Sequence, residues 1–207
     1  MEQLFDFLDH LDKDLLLYLQ SQNTLFLDTI MAGITNKYNW LPLYLLLLVA
    51  LYRQFGWQAI YSLVAVVVLI TLSDQITSSL MKPLFGRFRP CHDPEIGHLV
   101  RIVTKCGGFY GFVSGHAANS FAVTTFFLLL FVKTHRYFWW LLIWPLAFSY
   151  SRIYLGVHYP LDILGGSLVG ILLGYLVFIG TSKLSLKVPF GFTPDPLRGK
   201  SSPRGPL

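Results

Sequence analysis

Charge is what this chain has least of. Asp, Glu, Lys and Arg make up 13% of its 207 residues, while hydrophobic types make up 54%; a soluble domain carries about twice that charge share. The lysines and arginines outnumber the acids by 16 to 11, but they are scattered between apolar segments and never massed on one face, so nucleic acid is not an expected partner. The first 23 residues lack a basic stretch and a small-residue cleavage site, which argues against a secretory leader. Repeats of solenoid length are missing. No dense cluster of carboxylates is present to hold Mg²⁺ or Zn²⁺, and no metal or other cofactor is expected. Cysteine is reduced to two residues, Cys91 and Cys106.

What remains is a membrane pattern in one domain, residues 1–182, followed by a tail at 183–207. Residues 1–23 place Leu4, Phe5, Leu8, Leu11, Leu15 and Leu19 at the spacing of an amphipathic helix, suited to a membrane surface or to the side of a bundle. Residues 24–35 predict a second short amphipathic helix, with Asp28 too central for a crossing. Apolar runs follow at 40–53, 57–81, 115–132, 137–154 and 161–180. The expected fold is therefore all-α: a polytopic membrane bundle of about five transmembrane helices, or six if residues 15–35 also cross. Trp139 and Trp140 are interfacial anchors. Gly165, Gly166, Gly170 and Gly174 would let the last helix approach a neighbour closely. The tail, rich in Pro, Gly, Ser and basic residues, reads as disordered.

Polar residues at the ends of these runs are costly to keep near a bilayer and need a reason. Pro160 suits a first helical turn, so His158 falls just before a helix and Asp162 within its first turn. There the carboxylate can take the imidazole Nδ1–H and leave Nε2 free as a base or nucleophile. Alone, the pair reads equally well as a loop histidine followed by an N-terminal helix aspartate. Two further stretches decide between these. Lys82 is followed after six residues by Arg89-Pro90, and Ser114-Gly115-His116 opens another apolar run; Ser151-Arg152 is then followed after five residues by His158 and after three more by Asp162.

Jointly these three motifs resemble the type-2 phosphatidic acid phosphatase family, integral-membrane lipid phosphatases related to vanadium haloperoxidases, from about residue 25 to 180. One departure is Val113, where the family's middle motif opens with proline. The resemblance implies a metal-free phosphatase acting on a lipid phosphate or pyrophosphate. Undecaprenyl pyrophosphate, phosphatidylglycerol phosphate, phosphatidate and the lipid A 1-phosphate all fit. A soluble sugar phosphatase, or a lipid transporter without enzymatic activity, are the alternatives.

The residues suit that chemistry. Lys82, Arg89 and Arg152 can hold a phosphoryl group, the arginines bidentately. Backbone N–H groups of Gly115 and His116, at a helix start, and the Ser114 hydroxyl can add to the cradle. His158 would attack phosphorus, oriented by Asp162, and His116 would protonate the leaving oxygen and then activate water. Arg87 is a candidate extra headgroup contact. Asp74, with Thr71 and Ser78, shares a helical face with Lys82 and could support it. His92, Asp93, Glu95 and His98 form a weaker metal candidate in the first loop.

All three motifs fall on one side of the expected bundle. Arg53, Lys133, Arg136 and the basic tail lie on the other, which the positive-inside rule makes cytoplasmic. The active site is then expected to face the periplasm or exterior of a bacterial inner membrane, with bilayer and lipid substrate as its partners. Cys91 and Cys106 share that outer loop, where a disulfide would persist; the alternative is two free thiols.

Overall fold

The computed structural model of the chain describes residues 2–187. Among them every regular element is helical. Helix α1 spans Glu2–Ser21, α2 Leu25–Thr35, α3 Leu41–Phe55, α4 Ala59–Asp74, α5 Lys82–Phe85, α6 Gly115–Phe131, α7 Ile143–Tyr154 and α8 Pro160–Lys187. Residues 183–187 thus continue α8 and are not tail; the rest of the expected disordered tail, 188–207, lies outside the described residues.

Among the described residues two helical runs are long and apolar enough to cross a bilayer, Lys37–Phe85 and Pro160–Lys183. The first has 49 residues, which as one straight helix would reach about 70 Å, more than twice a ~30 Å hydrocarbon core. It is divided at Gly56, whose φ of 59° ends α3 in a conformation that glycine adopts without strain. The beginning of the run expected at 137–154 is not α-helical. Arg136–Leu142 forms a 3₁₀ segment, and α7 proper starts at Ile143; Pro145 near its start lacks the N–H an interior turn needs.

Between α4 and α5 the chain takes a π-helical turn over Gln75–Met81, where the Lys82 N–H reaches back five residues to the Thr77 carbonyl. Such wide turns are frequent at functional sites. This one lies between Asp74 and Lys82 and takes in Ser78, and the charge of Asp74 still acts on Lys82. Asp74 Oδ1 also accepts from Asn119 Nδ2 of α6 at 2.7 Å.

Leu47, Leu51, Leu69, Phe126, Phe131 and Trp144 of α3, α4, α6 and α7 form the main core. The tightest approach is between α6 and α8. A Cβ on Gly166 would lie 2.4 Å from Ser114 O, one on Gly170 2.2 Å from Ala118 O, and one on Gly174 2.5 Å from Ala122 O. Glycines four residues apart thus face carbonyls four residues apart, and the two backbones touch. Helix α1 has the opposite character. It buries Asp12 and Gln20 together with Leu16, and exposes Leu4, Phe5, Phe7, Leu11 and Tyr18.

The α6–α8 seam makes a stability prediction. Gly170→Ala forces the helices apart and should cost about 1–3 kcal/mol. Gly180→Ala, where nothing lies within 4 Å, should be neutral or slightly stabilising. Thermal unfolding in detergent checks this; equal melting of the two variants would refute the seam.

Candidate active site

The loop after α5 is folded by its own backbone. Gly86, at φ 57°, ends the helix. Arg89 N–H then donates to Phe109 O at 2.8 Å and Gly111 N–H to Arg87 O at 2.8 Å, with Phe88 bridged antiparallel to Tyr110. Cys91 and Cys106, with Cα atoms 6.3 Å apart, are joined in a disulfide, within the span such a bond requires. The pairing carries Arg89 inward, and its side chain is buried.

The second segment is anchored to the third. Ser114 caps α6, its Oγ accepting from Ala117 N at 3.5 Å, while its own N–H donates to the Asp162 carbonyl at 3.0 Å. The first N–H groups of α6, at Gly115 and His116, have no intrahelical acceptor. His116 is exposed beside the Phe148 ring, 5.5 Å between centroids. Arg152, His158, Arg89 and Lys82 all act on it electrostatically. Val113, where proline was expected, is buried and packs towards Gly165.

The third segment supplies the centre. His158 and Asp162 are fully buried. His158 Nδ1 lies 3.2 Å from Asp162 Oδ2, and Tyr159 N–H donates to the same oxygen at 3.1 Å. On the other side of the ring, Arg89 Nη1 lies 3.2 Å from His158 Nε2 and donates to Val157 O at 3.1 Å. A guanidinium has only donors. Nε2 is therefore an acceptor, the ring proton sits on Nδ1, and the carboxylate takes it. Burial first, then the charges of Arg89, Arg152 and Lys82, hold the imidazole well below its ordinary pKa. His158 is thus a neutral ring with its free lone pair turned towards the cations.

Two buried donors strengthen the case for an anion. Arg89 Nε and Arg152 Nε have no acceptor among the described residues, although Arg152 Nη1 donates to Thr35 Oγ1 at 2.6 Å. Lys82 likewise has no hydrogen bond or ion pair there. A tetrahedral oxyanion would supply what these groups lack. Three cations whose charges all act on His158 also disfavour a divalent metal there.

Arg87 is not available for a headgroup, contrary to expectation, because its guanidinium is taken up by Asp9, Asp12 and Asp162. The loose metal candidate is also dismantled. His92 Nε2 faces Gly107 O, Asp93 accepts from Tyr159 Oη, and Glu95 pairs with Lys13. Among the described residues, the group with metal-ligand proximity is Cys91, His92 and Cys106, two of which are joined to each other. Gly111 was missed by the motifs. A Cβ there would fall 2.7 Å from Asp162 Oδ2 and 3.3 Å from Arg89 Cγ; the adjoining Gly107-Gly108 hints at a crowded backbone but does not say against what.

Comparison with known proteins gives the family and the fold. The sequence pattern of the PAP2 superfamily matches residues 62–185. Similar over nearly full length is a lipid A 4'-phosphatase of Bacteroides thetaiotaomicron, 38% identical over 95% of this chain and 88% of that protein. Another lipid A 4'-phosphatase, from Porphyromonas gingivalis, is 32% identical over 84% of this chain and 74% of its own. In fold, the chain resembles the PAP2-type phosphatidylglycerolphosphate phosphatase from Bacillus subtilis, with a TM-score of 0.65, 21% identity and 87% of both chains covered. It also resembles Aquifex aeolicus LpxE, with a TM-score of 0.60, 23% identity and 80% and 93% covered.

The crowding at Gly111 can be tested by anion affinity. Gly111→Ala should push Asp162 and Arg89 out of register and weaken orthovanadate binding about tenfold or more, a loss of ~1.4 kcal/mol, as read by calorimetry on purified protein. Unchanged affinity would show that neither group is held there.

Proposed function

Belonging to the PAP2 superfamily, the chain is a membrane lipid phosphatase, and from that premise we propose that it removes a phosphate monoester from lipid A through a phosphohistidine on His158. From the motifs alone four headgroups fit, with lipid A represented by its 1-phosphate. The two relatives matched along most of their length shift the preference to the 4'-phosphate.

The observation that carries the mechanism is the two-sided hold on His158, with Nδ1 facing Asp162 and Nε2 facing Arg89. When substrate binds, its phosphoryl oxygens take over the Arg89 donor and meet Lys82 and Arg152, and Nε2 is released for in-line attack on phosphorus. The P–O bond to the lipid breaks as the N–P bond forms, and His116 gives its proton to the departing alkoxide. Water, deprotonated by His116, then attacks the phosphohistidine and frees inorganic phosphate. Asp162 stabilises the imidazolium character that develops at His158. The charge of the transition state is met by side-chain cations already in place, which is where electrostatic catalysis has its largest effect.

A site of this kind at a helix end admits a headgroup while its acyl chains stay in lipid. We read the bundle as crossing the membrane about five times, with α1 and α2 lying on the site's side. The Cys91–Cys106 disulfide in the motif loop favours an oxidising compartment on that side, in keeping with an inner-membrane enzyme that faces the periplasm.

Phosphate release from a panel of lipid A, phosphatidate, phosphatidylglycerol phosphate and undecaprenyl pyrophosphate should favour lipid A, with mass spectrometry placing the loss at the 4'-position; preference for another headgroup would overturn the substrate reading. His158→Ala should abolish turnover while the protein remains folded, and Asp162→Asn should lower kcat roughly 10³–10⁴-fold. Acid-labile, base-stable label from a phosphorus-labelled lipid should be trapped on His158, and activity should survive EDTA. Because kcat/KM reports the free enzyme, His158 should contribute no acid limb near pH 6.5, its lowered pKa keeping it neutral until well below that.

For orientation, single cysteines at Glu95 and Thr134, in a background without the native pair, should differ in intact cells. An impermeant reagent is expected to label position 95 and spare 134; the reverse pattern would invert the topology.

A further inference from the structure

Beneath the catalytic pair lies a second charged cluster that the phosphoryl chemistry does not use. Arg87 Nη1 is 3.2 Å from Asp162 Oδ1, the carboxylate oxygen that His158 leaves free. Its Nη2 is 2.9 Å from Asp9 Oδ1 and 2.8 Å from Asp12 Oδ2, both on α1. The guanidinium also lies 4.2 Å from the centre of the Tyr159 ring, whose hydroxyl donates to Asp93 Oδ2 at 2.8 Å. Asp12 Oδ1 meanwhile accepts the Leu161 N–H at 2.9 Å, one residue from Asp162. Lys13 ties the outer end down, 2.7 Å from Asp9 and 2.6 Å from Glu95.

We infer that Arg87 is a positioning residue for the Asp162–His158 pair, and that α1 is its holder, fixing the guanidinium through Asp9 and Asp12. This rests on the reading that Asp162 orients a nucleophilic His158. The physical case is one of shape and of charge. The Asp162 and Asp12 carboxylates are almost inaccessible, at 0% and 1%, and two such carboxylates facing each other need a cation between them. A guanidinium meets both at once with its fork, which a lysine ammonium cannot do. The same contacts account for the burial of Asp12 on α1, a helix that leaves Leu4, Phe5, Phe7 and Leu11 exposed. It docks by charge through Asp9 and Asp12 and by packing through Leu16, and leaves its exposed apolar residues for lipid.

A residue acting through Asp162 should change turnover more than binding. Arg87→Met is expected to lower kcat about 10–100-fold, the usual scale for a group that orients a reacting one, with KM within roughly threefold of wild type. Arg87→Lys keeps the charge without the fork and should recover part of the loss. Asp12→Asn, which preserves the acceptor for Leu161, should lower kcat about 3–10-fold alone and have no further effect in the Arg87→Met background, since both act along one chain of contacts. A raised KM at unchanged kcat would instead make Arg87 a headgroup contact and overturn the inference. So would fully additive losses, or a kcat within twofold of wild type.

Should Arg87→Met fail to fold, the same cycle is run with Arg87→Lys and Asp12→Asn. Amide hydrogen exchange at Tyr159 and Leu161 supplies a readout that needs no turnover. It should quicken in both variants, and unaltered exchange would count against the link. If the wild type releases no phosphate from any lipid, the proposed function fails by itself, and the exchange result still decides this inference.

Discussion

Close contact between the α6 and α8 backbones is the constraint on which the rest depends. In a bilayer there is little hydrophobic gain from bringing two apolar helices together, so association relies on packing and hydrogen bonding. Gly166, Gly170 and Gly174 remove the side chains that would hold α8 away from Ser114, Ala118 and Ala122. At the top of that seam the Ser114 N–H meets the Asp162 carbonyl. The N-terminal ends of both helices are thereby set side by side, and their unbonded N–H groups, the cap hydroxyl and both motif histidines arrive at one place. A helix separation larger by one methyl group would move His116 relative to His158 by a distance comparable to a bond.

On that frame the electrostatics are arranged in two layers. Lys82, Arg89 and Arg152 form the outer layer, with arginine Nε donors left over and a neutral imidazole in their midst. Cations close to one another repel, and burial makes this worse; the arrangement is costly until an anion fills it. The inner layer runs from Asp162 through Arg87 to Asp12 and Asp9 and is closer to neutral. Asp162 belongs to both, one oxygen on the imidazole and the other on the guanidinium. Its backbone carbonyl holds Ser114 as well, so a single residue joins His158, the helix cap and, through Arg87, the N-terminal helix.

The disulfide loop serves the same end by backbone means. Pairing of residues 87–89 with 109–111 turns Arg89 under the imidazole and leaves room there only for glycine at position 111. The Cys91–Cys106 bond closes the far side of that loop, so the cation that touches His158 is held from both directions along the chain.

Much of this could be read from the sequence, for identifiable reasons. Helices follow from long apolar runs because a membrane-spanning backbone must satisfy its hydrogen bonds internally. The amphipathic character of residues 2–21 follows from its leucine spacing. The His158–Asp162 pair follows from Pro160, which sets the helix start and so brings the two side chains within one turn. These are local determinations, made within a few residues. What the chain could not declare in advance are the meetings across large separations. Arg87 looked free because its partners lie some 75 residues away on either side. The π-helical turn between Asp74 and Lys82 is invisible to a 3.6-residue count, and so is the reach of Asp74 across to Asn119 on α6. The leucine spacing of α1 does not say where its acids go, and only the docked helix shows Asp9 and Asp12 meeting Arg87. The candidate groups were legible in the sequence because they depend on side-chain chemistry and short-range geometry; tertiary packing decided which of them touch, since that depends on how closely two backbones can approach.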